Sequence, residues 1–478
     1  MKYPILIFIL LNTLFSFSQS NKFIGIWEGN LQAVGTLKLV FEVSEAANKR
    51  LVTILKSPQQ TKAPLPTDTT YLKEDSIFIS AKKLGIQFKG LLTNDSTING
   101  IFIQGAQFPL QLKKVQKAYE VLRPQTPKPP FNYNSIDTIY FNADKSLQYG
   151  ATITYPNNPA VQNAGKFNYY PTVILITGSG QQDRDETIFM HKPFAVIADY
   201  LTGKGFAVLR VDDRGIGKST GNFTKSTSAD FAKDVEAALD FIKTLPVVDT
   251  NKLGLIGHSE GGMIAPLVAS KRKEVKFIVL LAGPGVNILQ VMSEQIEAVG
   301  AITGLSLNAA KANGAFFNLV GKQVNLNAGI TFSKITLYNN IENWAAKISL
   351  PTLKELSVGS KEKREKAALD LIEKTNNPWF KYFLSFDPVP YLQQLSCAVL
   401  ALNGEKDIQV LPVTNTEGIK AALKNSKSKN YEVKILPGLN HLFQTCQKCS
   451  AGEYGELEET FSVNALKIIG DWLVKTTK

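Results

Sequence analysis

Hydrophobic and polar positions follow two different rhythms along this chain. Between residues 23 and 115 they alternate in short runs: TLKLVFEV, LVTILK, SIFISA, GIQFKGLL, TINGIFI and FPLQLKKV. A period of two puts one face of each run on a core and the other in water, which predicts strands. Turn residues such as Asn94-Asp95 separate the runs, and no helical period interrupts them. The segment therefore predicts an antiparallel sandwich or small barrel of about 90 residues. After residue 135 the rhythm changes. Apolar runs, YYPTVILIT, FAVLRV, KLGLIG, FIVLLAG, AVLALNG and YEVKIL, alternate with helical segments near 191–204, 229–244, 259–271, 415–425 and 456–475. Strands that are apolar throughout and separated by helices predict an α/β fold, its mostly parallel sheet covered by helices on both faces. Two strands near 136–141 and 147–155 are expected to form a hairpin at the edge of that sheet.

Breaks in these rhythms set the expected boundaries. The stretch Arg123 to Pro130, RPQTPKPP, holds four prolines in eight residues and predicts a stiff linker over 123–134. It separates a β-domain at 19–122 from an α/β domain at 135–478. Within the latter, alternation stops between Pro284 and Tyr391, where MSEQIEAVGAI, NAAKANGAFFNLV and KREKAALDLIEK read as helices. An insertion at 286–390 enters at the carboxyl edge of the sheet, where ligands bind, and is expected to act as a lid. Its aromatic pairs, including Trp379-Phe380, suit an acyl pocket. At the other end, Lys2, an apolar run from Tyr3 to Phe17 and small residues at Ser16 and Ser18 have the order of a secretory signal peptide over 1–18. The run is shorter than a membrane span and Asn12 interrupts it, so the expectation is an exported protein, periplasmic or secreted, with no stable membrane insertion.

Composition narrows the chemistry. The 478 residues are 44% hydrophobic and 20% charged, which excludes a largely disordered chain. The net charge of +12 is dispersed, without the basic runs that nucleic-acid binding favours. Three cysteines cannot build a four-Cys zinc site or a disulfide scaffold, and no metal or cofactor is expected. Any histidine chemistry must use His191, His258 or His441.

The candidate nucleophile lies in KLGLIGHSEGGMIAPLVASK, which sets Gly257-His258-Ser259-Glu260-Gly261 between a strand and a helix. A GxSxG string is weak by itself, and the chain carries a second copy at Gly217-Lys218-Ser219-Thr220-Gly221. Only at Ser259 must the chain turn from strand to helix in one residue, which strains the backbone and aims the hydroxyl outward. Gly257 and Gly261 remove side chains that would clash in that turn. The alternative for Ser259 is a plain helix-capping serine. The GIGKS near Gly217 fails as a phosphate loop, because Asp212 stands where a glycine is needed, and as a dinucleotide fingerprint, because Thr220 takes the third glycine position. Asp212, Asp213 and Arg214 are expected to pair there and brace the site edge.

A serine needs an adjacent base. His258 lies inside the elbow and reads as packing, and His191 precedes the serine, which leaves His441 in LPGLNHLF after the last strand. The orienting acid is expected after the preceding strand, in AVLALNGEKDIQV, as Asp407 with Glu405 the fallback. Two oxyanion donors are expected, the N–H of Glu260 and the N–H of Ser179 in Gly178-Ser179-Gly180. Asp183, Arg184, Asp185 and Glu186 fall beside the site; Arg184 either pairs with Glu260 or braces the loop.

With GSGQQDRDE, VDDRGIGKS, GHSEGG, GEKDIQV and the histidine of LNH in this order, residues 135–478 resemble the α/β-hydrolase superfamily. They are similar in particular to exported bacterial carboxylesterases grouped with serine aminopeptidase-like hydrolases, and GIWEGNL, FKGLL and INGIF resemble the β-domain that precedes such enzymes. The resemblance implies Ser259, Asp407 and His441 as the triad of a serine hydrolase acting on small ester or acyl substrates. A peptidase or amidase with the same triad, or an inactive exported binding protein, is the alternative. Two departures stand out: Gln181 where relatives often have proline, and Cys446-Gln447-Lys448-Cys449, a pair that an exported protein can close as a local disulfide. Cys397 begins a strand and is expected to be buried.

Overall fold

The computed structural model describes residues 22–32, 36–61, 63–157, 169–326 and 333–478. The expected signal segment at 1–18 lies outside them. The chain divides into two compact units. One holds the chain to Leu122 together with Ile188–Met190 and Ala451–Glu458; the other holds Arg123–Thr187, His191–Ser450 and Glu459–Lys478.

In the first unit, β1 (Gly25–Gln32), β2 (Thr36–Glu45), β3 (Leu51–Lys56), β4 (Thr69–Lys73), β5 (Ser76–Ala81), β6 (Ile86–Asn94), β7 (Thr97–Gln104) and β8 (Ala106–Val115) form one antiparallel sheet. Its order is 3-2-1-8-7-6-5-4, a near-barrel. The period of two does what it predicts: along β6, Ile86 and Phe88 face inward while Gln87 and Lys89 face out. Phe88 packs on Phe41 at 5.1 Å between ring centroids, beside buried Trp27 and Phe102.

The second unit is built on β9 (Tyr133–Phe141), β10 (Gln148–Pro156), β11 (Tyr170–Ile176), β12 (Ala207–Val211), β13 (Val248–His258), β14 (Val275–Leu281), β15 (Ala398–Gly404) and β16 (Tyr431–Leu436). Their order is 16-15-14-13-11-12-10-9. Strands β11 to β16 pair in parallel, and β9 and β10 form an antiparallel hairpin at one edge. Each apolar strand feeds two cores. Ile174 and Ile176 of β11 join one cluster with α2 (Ser228–Ile242) and α3 (Glu260–Lys271), which follow α1 (Pro193–Gly203). Val173 and Leu175 join the other with α1 and the C-terminal helix at Val463–Thr476. Burial on both faces is why these strands are continuously hydrophobic rather than alternating.

Between β14 and β15 come α4 (Ile288–Ile302), α5 (Leu307–Leu326), α6 (Lys334–Ala345), α7 (Leu350–Glu355), α8 (Lys361–Thr375), α9 (Pro378–Ser385) and α10 (Val389–Gln393). Helices α6 to α9 each start on a Ser or Asn whose side chain accepts from the backbone N–H three residues on: Ser333, Ser349, Ser360 and Asn377. Such caps satisfy donors that the first helical turn cannot pair internally. The insertion has its own core, around Phe316, Leu337, Ile341 and Trp344, and reaches the sheet's core through Phe317, Phe383 and Phe386. After β15, α11 (Pro412–Lys424) and α12 (Val463–Thr476) complete the unit.

One expectation needs correction. The last helix begins at Val463, not near 456, because side chains occupy the backbone just before it. Gln125 bonds Phe461 through both its amide groups, at 2.7 and 3.0 Å, and Gln444 Nε2 donates to the Glu459 carbonyl. The same Gln125 bonds fasten the proline-rich segment within the second unit.

Candidate active site

The elbow follows from backbone crowding. Ser259 sits between β13 and α3 at φ 53° and ψ −113°, a left-handed conformation that costs a non-glycine residue of order 1–3 kcal/mol. A Cβ on Gly257 would lie 2.0 Å from the Gly261 carbonyl oxygen, and one on Gly261 would lie 2.2 Å from that of Ile176. Only glycine fits at either place. The amide of Ser259 bonds the Leu281 carbonyl at 2.8 Å, fastening the turn to β14. The Ser259 side chain does not cap α3, although it stands at the capping position, and it is partly exposed.

Asp407 and His441 come together from the loops after β15 and β16. Asp407 Oδ2 lies 2.8 Å from His441 Nδ1, and both side chains are buried. Asp407 Oδ1 accepts the N–H groups of Gln409 and Val410, at 2.8 and 2.9 Å, which fixes the carboxylate. Glu405 is exposed and accepts the Gly438 N–H at 2.9 Å, so it belongs to the surface of that turn. His191 is buried elsewhere, its Nδ1 2.8 Å from Thr460 Oγ1.

His258 does more than pack. Its Nδ1 lies 3.0 Å from Glu186 Oε1 and its Nε2 lies 3.0 Å from the His441 carbonyl oxygen. Its ring is 4.9 Å from that of His441. Glu186 Oε1 also accepts the Gly178 N–H at 2.7 Å, and Gly178 is close enough to the elbow that an added Cβ would stand 3.3 Å from Ser259 Cβ. The elbow, the Gly178 loop and the His441 loop thus meet at one buried side-chain pair. Sequence placed Glu186 beside the site but offered no signal for its partner.

Arg184 does not pair with Glu260. It takes Asp212 instead, at 3.0 Å through Nε and 2.6 Å through Nη2, with Asp137 at 3.1 Å. The buried Asp212 carboxylate supplies charge there, and hydrogen bonds from Arg184 hold it below the usual range despite burial. Asp212, Asp213 and Arg214 do brace the edge, but not by pairing with one another. Asp213 accepts from Thr177 Oγ1 and the Gln182 N–H at 2.9 and 2.8 Å, and Arg214 bonds Asp234 at 2.6 Å. Burial pushes the Asp213 carboxyl up to about 7.

Glu260 is fully enclosed. It accepts from Ser228 Oγ at 2.6 Å and from Trp379 Nε1 of α9 at 2.9 Å, and the Ser179 side chain bonds it too. Burial raises its pKa against those donors, which favours the uncharged acid. Trp379 therefore contributes a donor, and it stacks on Phe383 at 4.8 Å. A cavity of about 50 Å³ behind the Gly178 loop takes its aromatic lining from Phe223, Phe231, Tyr140 and Tyr149, not from Trp379 or Phe380. Outside this centre, Cys446 and Cys449 are joined by a disulfide. Cys397 is buried just before β15, and burial pushes its thiol up to about 12.

Comparison with known proteins adds family context. Residues 191–363 match a family model described as serine aminopeptidase, S33. That span includes Ser259 but neither Asp407 nor His441. The esterase EstD of Thermotoga maritima is 30% identical over 155 residues, 32% of this chain and 37% of EstD, so the chain spans little more than a third of that relative. Among solved structures, Est1E of Butyrivibrio proteoclasticus with bound ferulic acid is 16% identical, with a TM-score of 0.40 over 70% of this chain and 98% of the other. An esterase of Pyrococcus furiosus is 15% identical, with a TM-score of 0.41 over 76% of this chain and all of the other. No helix among the described residues is long and apolar enough to cross a membrane.

Proposed function

We propose that this α/β-hydrolase cleaves carboxylic esters with Ser259 as nucleophile, His441 as base and Asp407 as the acid that orients it. One observation carries the reading: a strained serine sits at a strand-to-helix turn, and the residue before it, His258, joins that turn to His441, its Nε2 3.0 Å from the His441 carbonyl oxygen, while His441 Nδ1 lies 2.8 Å from buried Asp407. Ser259 Oγ attacks the ester carbonyl carbon while its proton passes to His441 Nε2, the ring nitrogen facing away from Asp407. The tetrahedral oxyanion accepts from the N–H groups of Glu260 and Ser179. The Gly178 N–H is already given to Glu186, so the next amide in the loop serves. Collapse expels the alcohol with the proton from His441, and a water, activated by the same ring, releases the acid. Burial shifts Glu260 toward the uncharged acid, which lessens its repulsion of the oxyanion. The name of the relative EstD, an esterase, supports an ester over an amide, and the place of the helical insertion between β14 and β15 supports a role as lid. Export is part of the proposal: the Cys446–Cys449 disulfide suits an oxidising compartment.

Purified protein tested on nitrophenyl esters and aminoacyl anilides decides the reaction. Ester turnover that dominates, is blocked by a fluorophosphonate and survives EDTA is expected. Preferred cleavage of the anilides moves the enzyme to the peptidases. A rate that collapses on chelation and returns with zinc removes the serine mechanism.

A further inference from the structure

The serine-hydrolase reading gives neither His258 nor Glu186 a part in the chemistry, yet both are buried, at 7% and 5% exposure, in the middle of the site. Their hydrogen bonds constrain the protonation of the ring. A backbone carbonyl can only accept, so His258 Nε2 must donate to the His441 carbonyl. Glu186 Oε1 is already an acceptor for the Gly178 N–H, and it faces His258 Nδ1 at 3.0 Å. A ring that donates from both nitrogens is an imidazolium.

We propose that His258 is a protonated positioning residue that, with Glu186, ties the Gly178 loop and the His441 loop to the nucleophile elbow. The proposal rests on the serine-hydrolase reading and adds a cation that holds three parts of that machinery in register. Asp407 fixes the His441 ring through its side chain; His258 fixes the same residue through its main chain. Glu186 meanwhile fixes the amide that precedes the oxyanion donor Ser179.

The surroundings suit a held charge. Burial opposes protonation of His258, but Glu186, the His441 carbonyl and the more distant Asp407 outweigh it and raise the pKa above that of ordinary histidine. Charged or titratable neighbours are Glu186 from the loop after β11, His441 from the loop after β16 and Asp407 from the loop after β15. The other walls, Phe194 and Ile197 of α1, Leu281 of β14, Leu442 and Phe461, are apolar and shield the pair from water. At high pH the ring loses a proton and with it one of the two ties. The rate therefore has an alkaline limit set by His258.

Ring-nitrogen NMR of the full-length mature protein tests this directly, since the chain has three histidines. The signals that survive both His191→Asn and His441→Asn belong to His258. At a pH just above the ordinary histidine value, where a free imidazole is mostly neutral, both of its nitrogens should be protonated; a neutral ring facing a protonated Glu186 overturns the proposal. Glu186→Gln keeps the shape and removes the charge. It should lower kcat roughly 10- to 100-fold with KM within a few-fold, the size of loss that small misplacement produces. It should also move the alkaline limit of kcat down by about one pH unit or more. An unmoved pH profile overturns the proposal. Ser259→Ala separates the two readings: if it stays active the serine mechanism fails, whereas a dead Ser259→Ala beside an unaltered Glu186→Gln sinks the positioning role alone.

Discussion

The chain contains the string GxSxG twice, and the two copies have opposite fates. Ser219 is buried, and its hydroxyl is used up: Oγ donates to the Asp212 carbonyl at 2.7 Å and accepts the Gly150 N–H at 2.9 Å. Ser259 is partly exposed, strained, and leaves its helix uncapped. No helix follows directly on Ser219, so nothing forces its turn. That turn nevertheless serves the site. Asp212 holds Arg184, Asp213 holds Gln182 and Thr177, and the Arg214 carbonyl accepts from Gln181 at 2.6 Å. One copy leaves its hydroxyl partly exposed at a strained turn; the other props the Gly178 loop. The string names neither role, and the element that follows it decides.

The comparison breaks most readily at the serines themselves. Ser259→Ala should cut kcat/KM by about 10⁴-fold or more and abolish fluorophosphonate labelling, as loss of a nucleophile does. Ser219→Ala should leave labelling intact and activity within a few-fold. Labelling that persists without Ser259 reverses the assignment. Next in size is Asp407→Asn, expected to lower kcat by about 10³- to 10⁴-fold through the wrong ring tautomer. Melting should hardly change, and a protein that unfolds instead would make Asp407 a structural residue.

Smaller effects sharpen the contrast on the Ser219 side. Removing that hydroxyl leaves a buried amide and carbonyl unpaired, so Ser219→Ala should cost about 1–3 kcal/mol of unfolding free energy, read from urea titration. No loss would mean that water replaces the hydroxyl and the turn is not a brace. Another effect on this side concerns Asp213 and pH. Its native pKa of about 7 exceeds the ordinary 3.8, so between those values the folded state keeps a proton that the unfolded state releases. The group's contribution therefore weakens as pH rises from about 4 to 7. At about 1.4 kcal/mol per pKa unit, Asp213→Asn should flatten that decline by a few kcal/mol, on the order of 4, across the window. An identical slope in the variant refutes a protonated Asp213.

Sequence by itself determined what short-range geometry controls. Alternation along β6 and continuous burial along β11 follow from the two-residue period of a strand, so both sheets and their different environments were legible. The strand, glycines and helix around Ser259 announced the turn for the same local reason. With three histidines in the chain, elimination singled out His441. Tertiary structure alone decided which polar side chains meet. Glu186 and His258 are 72 residues apart, and Glu260 and Trp379 are 119 apart. No local period links such pairs; a buried polar group takes whatever partner the packing brings within about 3 Å, because leaving it unpaired is costly. That is why Arg184 was legible as a residue near the site but its choice of Asp212 over Glu260 was not. It is also why the last helix starts at Val463, where side chains from elsewhere in the fold stop claiming the backbone.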